Sequence, residues 1–169
     1  MSKMSVREVL KRAEMADSRK DLWRSIYEEC YEFALPQRNL YSGHYEGKTP
    51  GQNKRARVFD STAINSTQRF ANRIQSGLFP PYRKWMQLTP GTEIPPAKRK
   101  QVADALDVYS DKFFEILRQT NFDLAISEML LDMAVGTGVM LIMPGDEDVP
   151  VRYTAVPQYL VAFEEGQHG

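Results

Sequence analysis

Apolar residues recur at three- and four-residue intervals in several stretches of this chain, and each such stretch predicts a helix. The clearest is built from Ala63, Ile64, Thr67, Phe70, Ala71, Ile74 and Leu78, one stripe on a helical period. Asp60 and Ser61 stand just before it and offer side-chain oxygens to the free N–H groups of a first turn. Gly77 and the pair Pro80–Pro81 end it, because proline has no N–H to donate and forces its predecessor to extend. Beyond the prolines, Trp85, Met86 and Leu88 predict a short strand closed by Pro90–Gly91. Helix, two-proline corner and aromatic-bearing strand together form an anchoring element. Nothing in it is arranged for catalysis.

Residues 5–34 read as helix, with a break near Asp17–Ser18 and a stop at Pro36. Val6, Val9, Leu10 and Ala13 line the first half; Leu22, Trp23, Ile26, Tyr27, Cys30, Phe33 and Ala34 line the second. Cys30 lies within that stripe and is expected to be a small core residue. A further helix runs from Lys98 to Gln119, with Val102, Ala105, Leu106, Tyr109, Phe113, Ile116 and Leu117 on its stripe. Asp104, Asp107 and Asp111 fall off that stripe onto a wet face, without the Gly turn and oxygen-rich company of a cation loop. Asn121 or Asp123 caps the last helix, which reaches Ala134 and is apolar nearly all round except at Ser127, Glu128 and Asp132. Such a helix belongs in the centre of a core or in a subunit interface. Gly136 suits a left-handed C-terminal cap. Thr137–Met143 then predicts an apolar strand, Val151–Val156 a second and Tyr159–Phe163 a third, with an acidic turn at 144–148. Residues 164–169 read as a hairpin turn whose returning strand is missing, so the chain is expected to be the front part of a longer product.

Between Leu35 and Phe59 the periodicity disappears, and a segment of that kind inside a compact domain signals a binding loop or arm. Arg38, Lys48, Lys54, Arg55 and Arg57 are interleaved there with Tyr41 and Tyr45. Basic and aromatic side chains suit a phosphate backbone and its bases, and equally suit packing against another protein. Gly47-Lys48-Thr49 resembles the end of a phosphate-binding loop, but Ser42 stands where the motif needs glycine and Pro50–Gly51 breaks the required helix. Asn65-Ser66-Thr67 matches a glycosylation acceptor only by accident, since it lies on a predicted helix.

Composition narrows the field. The 169 residues are 42% hydrophobic and carry 8 Phe, 8 Tyr and 2 Trp, enough for a genuine core. One cysteine excludes an internal disulfide, and with only His44 and His168 beside it there is no zinc ligand set. No apolar run approaches the ~20 residues of a membrane span, and the start lacks a signal peptide's apolar core, so an intracellular soluble product is expected. The net charge of zero conceals a division. Residues 1–101 hold 19 Lys+Arg against 10 Asp+Glu, or +9, and residues 102–169 hold 3 against 12, or −9. Such a chain can pair its basic half with a neighbour's acidic half, turn basic surface toward nucleic acid, or present two solvated faces. No nucleophile–base pair, metal cluster or intact phosphate loop points to an enzyme.

Several segments in order carry a resemblance to a known family. They are WRSIYEECYEFALPQRN, a glycine-bearing basic loop, VFDSTAINSTQRFANRIQSGLFPPYRKWMQLTP, an all-apolar helix running into AVGTGVMLI, and VPQYLVAFEEG. The set resembles the N-terminal part of the head-to-tail connecting, or portal, proteins of short-tailed bacteriophages. The resemblance implies an α+β fold, a mostly helical wing region with a short mixed or antiparallel sheet toward the C-terminus. It implies two segments, a helical part with a basic arm over 1–58 and a wing-like core over 59–169, truncated before stem, clip and crown.

In function, the resemblance implies a structural subunit with no covalent chemistry and no cofactor. Members of the family form a homo-oligomeric ring, usually dodecameric, at the capsid vertex of the virion, assembled in the host bacterial cytoplasm. The terminase packaging motor, capsid and scaffolding protein and tail adaptors are its partners, and double-stranded DNA passes through it during packaging and ejection. No membrane is involved. Arg38, Tyr41, Tyr45, Lys54, Arg55, Arg57, Phe79, Tyr82 and Trp85 are the expected contacts with subunits or partners, and Phe70, Ile74, Leu106, Phe113 and Leu130 the expected core. The competing expectation is a small stand-alone nucleic-acid-binding protein that uses the 38–57 arm with Lys98, Arg99 and Lys100; its balanced total charge speaks against it.

Overall fold

A computed structural model describes residues 5–38 and 59–164. Helix α1 spans Val6–Asp21, where the Ser5 hydroxyl accepts from the Glu8 N–H and Arg19 and Lys20 complement the negative end of the helix dipole. Helix α2 follows at Arg24–Ala34, so the break falls at Leu22–Trp23 and not at Asp17–Ser18. A 3-10 turn, Pro36–Arg38, ends this part. Helix α3 spans Thr62–Leu78, α4 Pro96–Gln119 and α5 Phe122–Val135. Strands β1, Val139–Pro144, and β2, Val151–Val156, form an antiparallel hairpin with Val139 opposite Val156 and Pro144 opposite Val151. The fold is α+β.

Helix α5 is the centre. It packs against α3, both strands, α2 and α4, as its all-round apolarity requires. The main core joins Ala71 of α3, Phe114 and Leu117 of α4, and Phe122, Ile126 and Leu130 of α5. A smaller cluster joins Tyr31 and Leu35 with Leu131, Val135 and Tyr159.

Several expectations need correcting. Leu130 is 2% exposed, and Ile74 packs against the core from a partly buried position. Phe70 and Phe113, however, are 37% and 38% exposed, and Leu106 is only half-buried. On α3 the seam against α5 is made by the small residues Thr67 and Ala71, which let the backbones approach and leave Phe70 on the flank. On α4 the buried residues are Ser110, Phe114 and Leu117, so Phe113 lies one residue off the inward face. On α2 the buried line is Tyr31 and Leu35, while Cys30 is exposed with Trp23 and Ile26.

Two expected strands are absent among the described residues. Residues 85–88 belong to no strand, and the Leu88 N–H turns to the Ser110 hydroxyl at 3.3 Å. Residues 158–160 form a 3-10 turn in place of a third strand, because Pro157 opens the turn and its carbonyl accepts the Leu160 N–H. Gly136 has φ −164°, which is extended, so it is no left-handed cap. Glycine is needed there because a Cβ would collide with the buried side-chain amide of Gln158, whose oxygen accepts the Thr137 N–H at 3.2 Å. Asn121 makes no cap bond either. Its side chain instead accepts the Tyr153 N–H at 2.9 Å and donates to the Tyr153 carbonyl at 2.6 Å, tying the start of α5 to β2.

Candidate functional site

The two-proline corner is fastened to the interior by its aromatic rings. Phe79 closes α3 with its N–H on the Gln75 carbonyl, and Pro80 and Pro81 then redirect the chain. Phe79 meets Trp85 edge-on at 5.1 Å, and Trp85 meets Phe114 edge-on at 5.4 Å and stacks on Phe122 at 6.0 Å. Phe122 continues the chain of rings to Tyr153 at 5.2 Å. Offset and edge-on geometries of this kind are the favourable ones for aromatic quadrupoles. The segment after the corner is also braced to α4: Lys84 forms an ion pair with Asp111, and the Gln87 amide donates to Asp107 at 3.0 Å. Two of the three aspartates expected on a purely solvated face therefore hold the corner, although as exposed contacts they add little stability. Tyr82, at the tip, is 92% exposed.

The second feature is polar and buried. Asp132 is fully enclosed; the Tyr31 hydroxyl donates to one carboxylate oxygen at 2.8 Å and the Arg38 guanidinium to the other at 2.6 Å. Arg38 also donates to the Glu128 carbonyl at 3.1 Å. Burial pushes the Asp132 carboxyl above its ordinary value, against the opposing pull of the Tyr31 hydroxyl and the Arg38 charge. Arg38, expected as a subunit or partner contact, turns its guanidinium onto Asp132 and the Glu128 carbonyl within the chain. The signal in the sequence is an aspartate set among Leu130, Leu131 and Met133 on an apolar helix, since a carboxylate enclosed there requires donors.

A third feature, a cleft of about 200 Å³, lies where α1 and α2 meet residues 158–163, with Lys20, Trp23, Tyr27 and Phe163 among its walls. Lys20 donates to the Tyr159 carbonyl at 2.5 Å, and the Arg12 Nε donates to both Glu164 carboxylate oxygens at 2.6 and 2.8 Å. The Arg12 hydrogen bond holds the Glu164 carboxyl below its ordinary range. These contacts pin the first helix to the last described residues.

Of the expected contact residues, Phe79 and Trp85 lie half-buried within the chain's own ring cluster, and Tyr82 faces outward. Tyr41, Tyr45, Lys54, Arg55 and Arg57 lie outside the described residues, as do both histidines. Among the described residues, no group of three or more His, Cys, Asp or Glu side chains could hold a metal ion, and no helix is long and apolar enough to cross a membrane.

One family model, described as bacteriophage head to tail connecting protein, matches residues 6–169. No curated protein and no solved structure matches the chain.

Proposed function

The chain belongs to the bacteriophage head to tail connecting protein family, a family of structural proteins, and from that membership we propose that it is a portal subunit. Copies of it assemble into a ring at the capsid vertex, where the packaging motor drives DNA inward, the tail attaches and DNA later leaves. Residues 1–58 form its N-terminal helical segment and basic arm, and residues 59–169 its wing-like core.

The observation that carries this reading is the family match over residues 6–169, and beside it stand several exposed large apolar side chains among the described residues. Val6, Leu22, Trp23, Tyr109, Ile142 and Leu160 are each more than half exposed. Spread over α1, the α1–α2 junction, α4, β1 and the turn after β2, these side chains are available for contact with other protein. The braced corner supports the same reading, because it holds Tyr82 outward from a rigid base. The test is electron microscopy of the product of the complete gene. Closed rings of one size are expected, and a monodisperse monomer under all assembly conditions would overturn the reading.

A further inference from the structure

We propose that the outward stripe of α4 is the docking surface for the β1–β2 hairpin of a second copy of this chain. This rests on the assembly reading above and goes further, by naming the two faces that meet.

The stripe is misaligned with the helix's own packing. Tyr109, Phe113 and Ile116 are 64%, 38% and 42% exposed, and each directly precedes a buried residue of α4. One residue is about 100° of helical rotation, so the strongest apolar line on α4 points about a quarter-turn away from the interior. From Val102 to Ile116 it runs about 20 Å at the helical rise.

The hairpin has the complementary fault. Val139–Met143 is a continuous apolar run, the pattern of a strand covered on both faces. Met140 and Tyr153 pack on the interior, whereas Leu141 and Met143, which alternate with Met140, are 51% and 40% exposed. At the usual rise per residue β1, Val139–Pro144, is about 17 Å long and fits within the α4 stripe.

Charge sets the direction. Lys98, Arg99 and Lys100 occupy the first turn of α4, which contains no acid. The positive end of the helix dipole disfavours cations there, so the triplet favours an anion from outside. The hairpin turn carries Asp146, Glu147 and Asp148; Arg152 holds Asp146 at 2.5 Å, and Glu147 and Asp148 stay exposed. A hairpin laid along the stripe with its turn toward Lys98 sets the β1 side chains Val139, Leu141 and Met143 against the apolar line and brings Glu147 and Asp148 to the basic triplet. Thr154 and Arg152 on the same face fall to its edge, Arg152 already paired with Asp146. Both faces belong to this chain, so the occupant is a second copy. The contact is head-to-tail, the kind that closes into rings.

The test is charge reversal in the full-length product, read by analytical ultracentrifugation with circular dichroism as the check on folding. Lys98→Glu with Arg99→Glu and Lys100→Glu should weaken self-association at least about tenfold, as should Glu147→Lys with Asp148→Lys. All five changes together should restore it. If association survives each reversal, or the combination fails to rescue, the faces lie elsewhere and this proposal falls while the ring reading stands. A wild-type chain that never associates sinks both.

Discussion

The Tyr31 hydroxyl reaches Asp132 across 101 residues of chain, at 2.8 Å and wholly out of solvent. Arg38 completes the site from the 3-10 turn after α2. This cluster joins the first described segment to the central helix, so a single change here acts on both.

Asp132→Ala removes the acceptor that Tyr31 and Arg38 share, leaves Arg38 with Glu128 alone, and should destabilise the chain by about 3 kcal/mol. Tyr31→Phe removes one hydrogen bond and should lose about 1 kcal/mol. Urea midpoints with an unchanged slope would confirm that stability alone has moved. Equal stability of Asp132→Ala and wild type would mean that the cluster is not enclosed in solution.

The same carboxyl has a pH signature. Its folded-state affinity for a proton is raised above the ordinary value of 3.8, so just above that pH the folded chain holds a proton that the unfolded chain has released. The contribution is fully present below 3.8 and is lost as pH rises through the folded value. Asp132→Asn should abolish that decline. Asp60, Asp146 and Glu164, lowered chiefly by hydrogen bonds from Thr62, Val149 and Arg12, act in the opposite direction and cancel when variant and wild type are compared.

Trp85→Ala removes the ring that touches Phe79, Phe114 and Phe122 together, and about 3 kcal/mol should be lost. Tyr82→Ala, three residues earlier and fully outside, should stay within about 0.5 kcal/mol. Thermal unfolding of the two variants separates anchor from tip. A Trp85→Ala variant as stable as Tyr82→Ala would show that the corner is not fastened.

Gly136→Ala drives a Cβ into the Gln158 amide and should cost about 1–3 kcal/mol. Adding Gln158→Ala should recover part of that loss, although the Thr137 N–H then loses its acceptor. A double-mutant cycle reads the coupling, and strict additivity would mean that the two groups do not meet.

The helices were legible because their apolar residues keep the helical period, and α5 declared its central place by having almost no polar face. Period alone could not say which way a stripe turns. On α4 the stripe through Tyr109 and Phe113 was the strongest pattern, yet the single-chain interior is reached through Ser110 and Phe114. A serine serves there because its hydroxyl bonds the Leu106 carbonyl and receives the Leu88 N–H, a pairing no local pattern discloses. The bond from Arg38 is hidden from local pattern for the same reason: Asp132 lies 94 residues away. The corner's rings fasten it to the chain's own interior, and the stretch after it pairs with no strand, because an apolar stretch becomes a strand only beside another.

The Asn121 carboxamide has one more consequence. By meeting both the N–H and the carbonyl of Tyr153, it satisfies the outward polar groups of β2 at that residue as a third strand would. A stray polypeptide seeking to zip onto the hairpin finds that position already occupied, and fibre-like propagation is checked there by one side chain.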